Sequence, residues 1–140
     1  MSYIISPPEE TALQAHLHKL RTQLHEDPEL SWQEHRTTRL VRRELEALCL
    51  EPVPLGLPAG TAALLRGALP GPTVGLRADL DALPITERTG AEFSSRVPGV
   101  MHACGHDIHM AALLGAARLL AARREQLAGN VLFLFQPAEE

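Results

Sequence analysis

Three of the seven histidines, His102, His106 and His109, fall within eight residues, and Cys104 stands between the first two. Thiolate and imidazole are good ligands for zinc and similar divalent metals. A spacing of two cannot place Cys104 and His106 on one helix face. On a turn containing Gly105, ahead of a helix, both side chains can converge on one point. The competing reading is a buried structural cysteine with incidental histidines.

Two acidic groups could complete such a site. Asp79 and Asp81 end an apolar run, and alternate strand residues point the same way, so both carboxylates can flank one place. One could orient a histidine ligand and the other tune the metal; turn chemistry before Pro84 would equally explain them. Glu139 and Glu140 follow the apolar run Val131-Leu132-Phe133-Leu134-Phe135. Adjacent carboxylates leaving a strand point different ways, so one can hold a metal while its neighbour moves a proton. A solvated acidic pair is the plain alternative.

The elements that must position these groups read as follows. Ser6-Pro7-Pro8-Glu9 is a capping box with proline at N1 and predicts a helix to about His25, broken by Asp27-Pro28. Ser31-Trp32-Gln33-Glu34 reads as a second capping box, opening a helix to about Leu48 with Leu40, Val41, Leu45 and Leu48 on one face. Residues 51–60 predict a loop. Residues 61–66 and 73–79, around Pro70-Gly71-Pro72, predict a hairpin. Residues 84–103 read as irregular. Asp107 is expected to cap a helix from Ile108 to about Gln126, with Gly129 just beyond its end. The all-apolar run 131–135 predicts a strand covered on both faces. The fold class is α/β, a mixed sheet flanked by helices.

Composition narrows the function. The chain has 140 residues, 45% apolar and 21% charged, with a formal net charge of −4. That balance argues against a general nucleic-acid binder, which needs clustered Lys and Arg. Arg36, Arg39, Arg42 and Arg43 do cluster, but at helical spacing beside Glu44 and Glu46, as on a solvated helix face. Two cysteines are too few for a disulfide scaffold. The start lacks the basic-then-apolar pattern of a secretory signal, and no apolar run reaches the roughly 20 residues that span a bilayer. A reducing, cytoplasmic setting without membrane or nucleic-acid partners is the expectation.

Four segments together carry a resemblance: LRTQLHEDPELSWQE (20–34), GLRADLDALPI (75–85), GVMHACGHDIHMAALLGAA (99–117) and VLFLFQPAEE (131–140). In order and spacing they resemble the amidohydrolase branch of the dinuclear-metal aminoacylase and carboxypeptidase family. That branch includes hippurate hydrolases, N-acyl-amino-acid amidohydrolases and auxin-conjugate hydrolases. The resemblance implies a zinc-exopeptidase-like catalytic domain binding two divalent ions (Zn, Mn, Co or Ni) and hydrolysing small N-acyl amino acids. It implies that Cys104, His106 and Glu140 are metal ligands and that Glu139 is the general acid/base. Asp81 joins Glu139 in the catalytic set, while Asp79, standing where wider relatives carry a ligand histidine, takes a supporting role with Asp107 and His109.

Members of that family are two to three times this length. Residues 1–140 therefore correspond to the N-terminal part of the catalytic domain, and two further histidine ligands, a lid domain and the second half of the sheet are expected elsewhere. By itself this stretch is expected to be catalytically silent, to hold at most one metal weakly, and to self-associate as a homo-oligomer. Other readings compete: a structural or binding domain without catalysis, a dipeptidase or carboxypeptidase, and a hydrolase using Cys104 as nucleophile.

Overall fold

The apolar residues of three helices and one sheet face meet in a single core. A computed structural model describes residues 6–140; the opening residues, read above as carrying no signal, lie outside the described ones. Helix α1 spans Pro7–Glu26 and opens on the predicted capping box, Ser6 N donating to the Glu9 carboxylate at 3.1 Å. It stops at Asp27-Pro28 as expected. Helix α2 spans His35–Ala47 and buries Leu40, Val41 and Leu45.

The second capping box is a correction. Glu34 occupies the N-cap of α2, yet its own side chain does not cap the helix. The orphan N–H groups of Arg36 and Thr37 go instead to the carboxylate of Glu29, at 3.1 and 2.8 Å. Ser31 and Glu34 bond to distant segments described below, so tertiary partners override the local signature.

Four strands form one sheet: β1 (Glu51–Val53), β2 (Thr61–Arg66), β3 (Leu69–Asp79) and β4 (Ala128–Gln136), in the order β1-β2-β4-β3. The expected loop at 51–60 thus begins with a short strand. The expected hairpin does not form. β4 enters between its two arms, antiparallel to β2 (Ala63 opposite Phe133) and parallel to β3 (Leu76 opposite Phe133). An all-apolar strand gains most from two neighbours, and β4 takes both. Gly129 is not a helix stop but part of β4, at φ +81°, and a Cβ there would strike the Pro72 carbonyl. That close approach accompanies the register shift between Leu69 and Thr73.

Burial along β4 alternates. Val131, Phe133 and Phe135 are buried and join Leu20, Leu24, Val41, Leu45, Leu65, Met110 and Leu114 in the core. Leu132 and Leu134, expected to be covered too, are only half-buried. Leu69 and Val74 on the edge strand β3 are exposed.

Helix α3 spans His106–Ala121, two residues earlier at its start and five shorter at its end than the sequence suggested. Its N-cap is Gly105 at φ +91°, a left-handed conformation suited to glycine, and not Asp107. A single 3-10 turn, Arg124–Gln126, takes up the remainder before β4. Arg36, Arg39, Arg42 and Arg43 are all exposed on α2. Among the described residues, no helix is long and apolar enough to cross a membrane.

Candidate metal centre

The C-terminal ends of β3 and β4 and the first turn of α3 meet at one place. The left-handed turn at Gly105 lets Cys104 and His106 face the same point although they are two residues apart. Ligand atoms of Cys104, His106 and Glu140 all lie within 4.8 Å of one another, and so do those of Asp79, His106 and Glu139. The two groups share His106. Its Nε2 is 3.7 Å from Glu139 Oε2 and 4.0 Å from Glu140 Oε1.

His106 is buried, and its other ring nitrogen, Nδ1, lies 2.9 Å from the backbone oxygen of Asp81. A bond to a carbonyl requires Nδ1 to carry the proton, which leaves Nε2 with a free lone pair aimed at the glutamates. Metal-binding histidines are commonly oriented in this way. Sulfur, imidazole nitrogen and carboxylate oxygen together form a donor set suited to zinc or a similar divalent ion. The residues fit such a group.

Asp81, expected in the catalytic set with Glu139, lies behind this arrangement. It is buried, with Oδ1 3.4 Å from His106 Nδ1, on the ring edge away from the glutamates. Oδ2 accepts from Ser31 Oγ at 2.8 Å and from Glu140 N at 2.9 Å. Burial raises the Asp81 pKa, but the Glu140 N–H and the Ser31 hydroxyl outweigh it, and the carboxyl titrates below its usual range. Asp81 is thus an ionised bracket joining loop, histidine and acidic pair.

Asp79 stays at the site but is held in a two-pronged pair by Arg77, at 2.8 and 3.0 Å, which raises the Arg77 pKa. Cys104 is exposed, and its thiol is pushed up chiefly by its hydrogen bond to Glu140 and by that carboxylate's charge, with smaller effects from burial, Glu139 and Asp81. The negative potential that resists a thiolate favours a cation. His109 is exposed, its ring 6.1 Å from that of His106, with no hydrogen bond recorded between them.

Asp107, expected to support the site, turns to the other side of α3. Its carboxylate meets His25 Nδ1 at 2.7 Å and Arg21 Nε at 3.0 Å. His25 Nε2 reaches Glu87 at 3.3 Å, and the Arg21 guanidinium sits 4.3 Å over the Phe93 ring. Beside them His102 is buried with neither ring nitrogen paired; burial lowers its pKa to about 4, so it stays neutral.

Sequence reasoning gave no part in the site to Ser31, Glu34 or His25, and named His102 only as one of the clustered histidines. The first three lie in the 20–34 segment that carries part of the resemblance, the one signal that could have singled them out. Glu34 is fully buried, and its Oε1 accepts from Ala138 N at 2.8 Å.

Known proteins bear out the resemblance. Residues 75–140 match the model of Peptidase family M20/M25/M40. Thermostable carboxypeptidase 1 of Saccharolobus solfataricus is 50% identical over 123 residues, covering 87% of this chain and 31% of the relative. N-acetylcysteine deacetylase of Bacillus subtilis is 49% identical over 130 residues, covering 92% and 34%. A solved Bacillus subtilis structure, a dinuclear metal binding peptidase from the M20 family, superposes with a TM-score of 0.89 at 48% identity, covering 92% of this chain and 36% of that one. The mixed α/β fold is therefore that of M20 peptidase domains. The chain spans about a third of the length of these relatives.

Proposed function

We propose, from the likeness to Peptidase family M20/M25/M40, that residues 1–140 form the N-terminal part of a catalytic domain that hydrolyses the amide bond of N-acyl amino acids. The observation that carries this reading is the convergence of Cys104, His106 and Glu140 within 4.8 Å, with Glu139 beside them in a second group that shares His106. Cys104, His106 and Glu140 would hold divalent metal, zinc, manganese, cobalt or nickel, two ions in the complete site. Bound metal supplies Lewis acidity, lowering the pKa of a water and polarising an amide carbonyl.

The chain's own residues do the rest. Glu139 is partly exposed at the mouth of the site. Its carboxylate takes the proton of the attacking water and delivers it to the leaving amine nitrogen. Asp81 keeps His106 and Glu140 in register, and Arg77 orients Asp79 beside Glu139. His109 lines the approach. The products are a carboxylic acid and an amino acid.

Two free cysteines support a reducing cytoplasmic setting. The uncovered β3 edge, with Leu69 and Val74 exposed, supports self-association. A peptide carboxypeptidase is the second reading, favoured by the Saccharolobus relative's name.

The test is hydrolysis by the full-length protein of N-acetyl and N-benzoyl amino acids against dipeptides of the same residues. Chelation should abolish turnover and a divalent metal restore it. Glu139→Gln should lower kcat by ~10²–10⁴-fold with metal content nearly intact. Turnover that survives exhaustive chelation, or a glutamine variant above a tenth of the wild-type rate, sinks the proposal.

A further inference from the structure

We infer that Glu34 is a positioning residue for the acidic pair: its buried carboxylate takes the N–H of Ala138 and fixes the left-handed turn from which Glu139 and Glu140 diverge. The inference rests on the metal-centre reading above and concerns how the ligand and the base are aimed.

Ala138 has φ +52°, a conformation that a Cβ makes unfavourable and that persists only where the surroundings over-determine it. It lies between the end of β4 and the two glutamates, so its dihedrals set the direction in which both leave the strand. Pro137 offers no N–H to help. The nearest donors on either side of Glu139 are the amides of Ala138 and Glu140, and each goes to a buried carboxylate, Glu34 at 2.8 Å and Asp81 at 2.9 Å. The segment is held at two points, on either side of Glu139.

Nothing else explains a carboxylate at position 34. Glu34 is fully buried, while Oε2 has no hydrogen-bond partner among the described residues. Burying a carboxylate with so little compensation is costly, and an apolar side chain would pack there without that cost. Although Glu34 is the N-cap of α2, its side chain caps nothing. Its one recorded side-chain hydrogen bond is the Ala138 amide.

The test compares variants of the full-length protein after metal stripping, titrated with cobalt(II) alone. Glu34→Met keeps the volume and removes the acceptor; Glu34→Gln removes the charge and keeps an acceptor oxygen. Glu34→Met should lower cobalt affinity by ~10–100-fold, as loss of an outer-shell partner does, and alter the thiolate-to-cobalt and ligand-field bands. Glu34→Gln should stay within about threefold of wild type, because a side-chain carbonyl accepts the same N–H. Ala138→Gly should recover most of the affinity lost in Glu34→Met, since glycine adopts the turn unaided. Wild-type affinity and spectrum in Glu34→Met overturn the inference, as does failure of Ala138→Gly to restore them.

Hydrogen exchange at the Ala138 amide is read without metal and needs no substitution at position 34. Protection in wild type and in Glu34→Gln is expected. Fast exchange in the folded wild type overturns the inference even if Glu34→Met does not fold. A wild type that binds no cobalt would sink the metal reading instead, and the amide measurement would still decide on Glu34.

Discussion

Two polar clusters sit back to back on the first turn of α3, and adjacent residues serve them. His106 faces the strand ends with Cys104, Glu139 and Glu140; Asp107 faces α1 with His25, Arg21 and Glu87. In the inner cluster basic and acidic groups alternate, and the guanidinium rests on an aromatic ring. In the outer cluster a thiol, an imidazole and carboxylates form two groups that share His106, the ligand atoms of each within 4.8 Å of one another. Burial alone does not separate them, because His106 and Asp107 are equally enclosed. The distinction lies in pairing: Asp107 faces a histidine and a guanidinium, whereas Glu139 and Glu140 crowd around His106 and the Cys104 thiol.

That contrast can be broken most forcefully from the inner side. Asp107→Ala takes from the half-buried Arg21 its carboxylate and from buried His25 one of its two, and the loss should be about 3 kcal/mol in urea denaturation of the metal-free protein. If stability held while cobalt affinity collapsed, Asp107 would belong with the outer set. From the other side, Cys104→Ala should change metal-free stability by no more than about 0.5 kcal/mol, because the thiol is exposed. Its cobalt affinity should nevertheless fall by more than the ~10–100-fold typical of outer-shell partners, with loss of the thiolate charge-transfer band. Intact binding without that band would remove Cys104 from the ligand set.

The smallest effect is a pH dependence confined to the inner cluster. Burial raises the Glu87 pKa, but the Ser95 N–H, the Thr89 hydroxyl and His25 together lower it to about 2. A carboxylate depressed on folding stabilises the protein above its unfolded pKa, and that contribution is lost as pH falls through the folded value. Stability should therefore decline between pH ~4.5 and ~2 partly through this group, since an unfolded glutamate titrates near 4.3. Glu87→Gln should flatten that part of the acid limb and leave cobalt binding unchanged. An identical slope in the variant would show that other groups carry it.

Local signals were legible where the determining partner is local. Ser6 and Glu9 close the capping box, Asp27-Pro28 ends α1, and the apolar run 131–135 is a strand. The convergence of Cys104 and His106 also followed from their spacing across Gly105, while the separate roles expected of Glu139 and Glu140 rest on the resemblance. What could not be read was set from far away. Ser31 and Glu34 match a capping box, yet their partners are Asp81 and Ala138, 50 and 104 residues distant. Thr61–Arg66 and the strand after it match a hairpin, yet each finds β4 instead. Asp107 has the side chain of a helix cap, but a buried histidine and arginine offered it more.

The insertion of β4 also sets a timetable for synthesis. Among the described residues, β3 pairs only with β4, and β2 has only the three-residue β1 besides it. At translation rates of ~5–20 residues per second, the chain from Asp79 to Gln136 takes roughly 3–11 s to appear. For that interval β2 and β3 emerge from the ribosome without the central strand they require. Nascent chains of this protein should therefore engage chaperones until Gln136 has cleared the exit tunnel, and slowed codons after residue 136 should raise the yield of folded product.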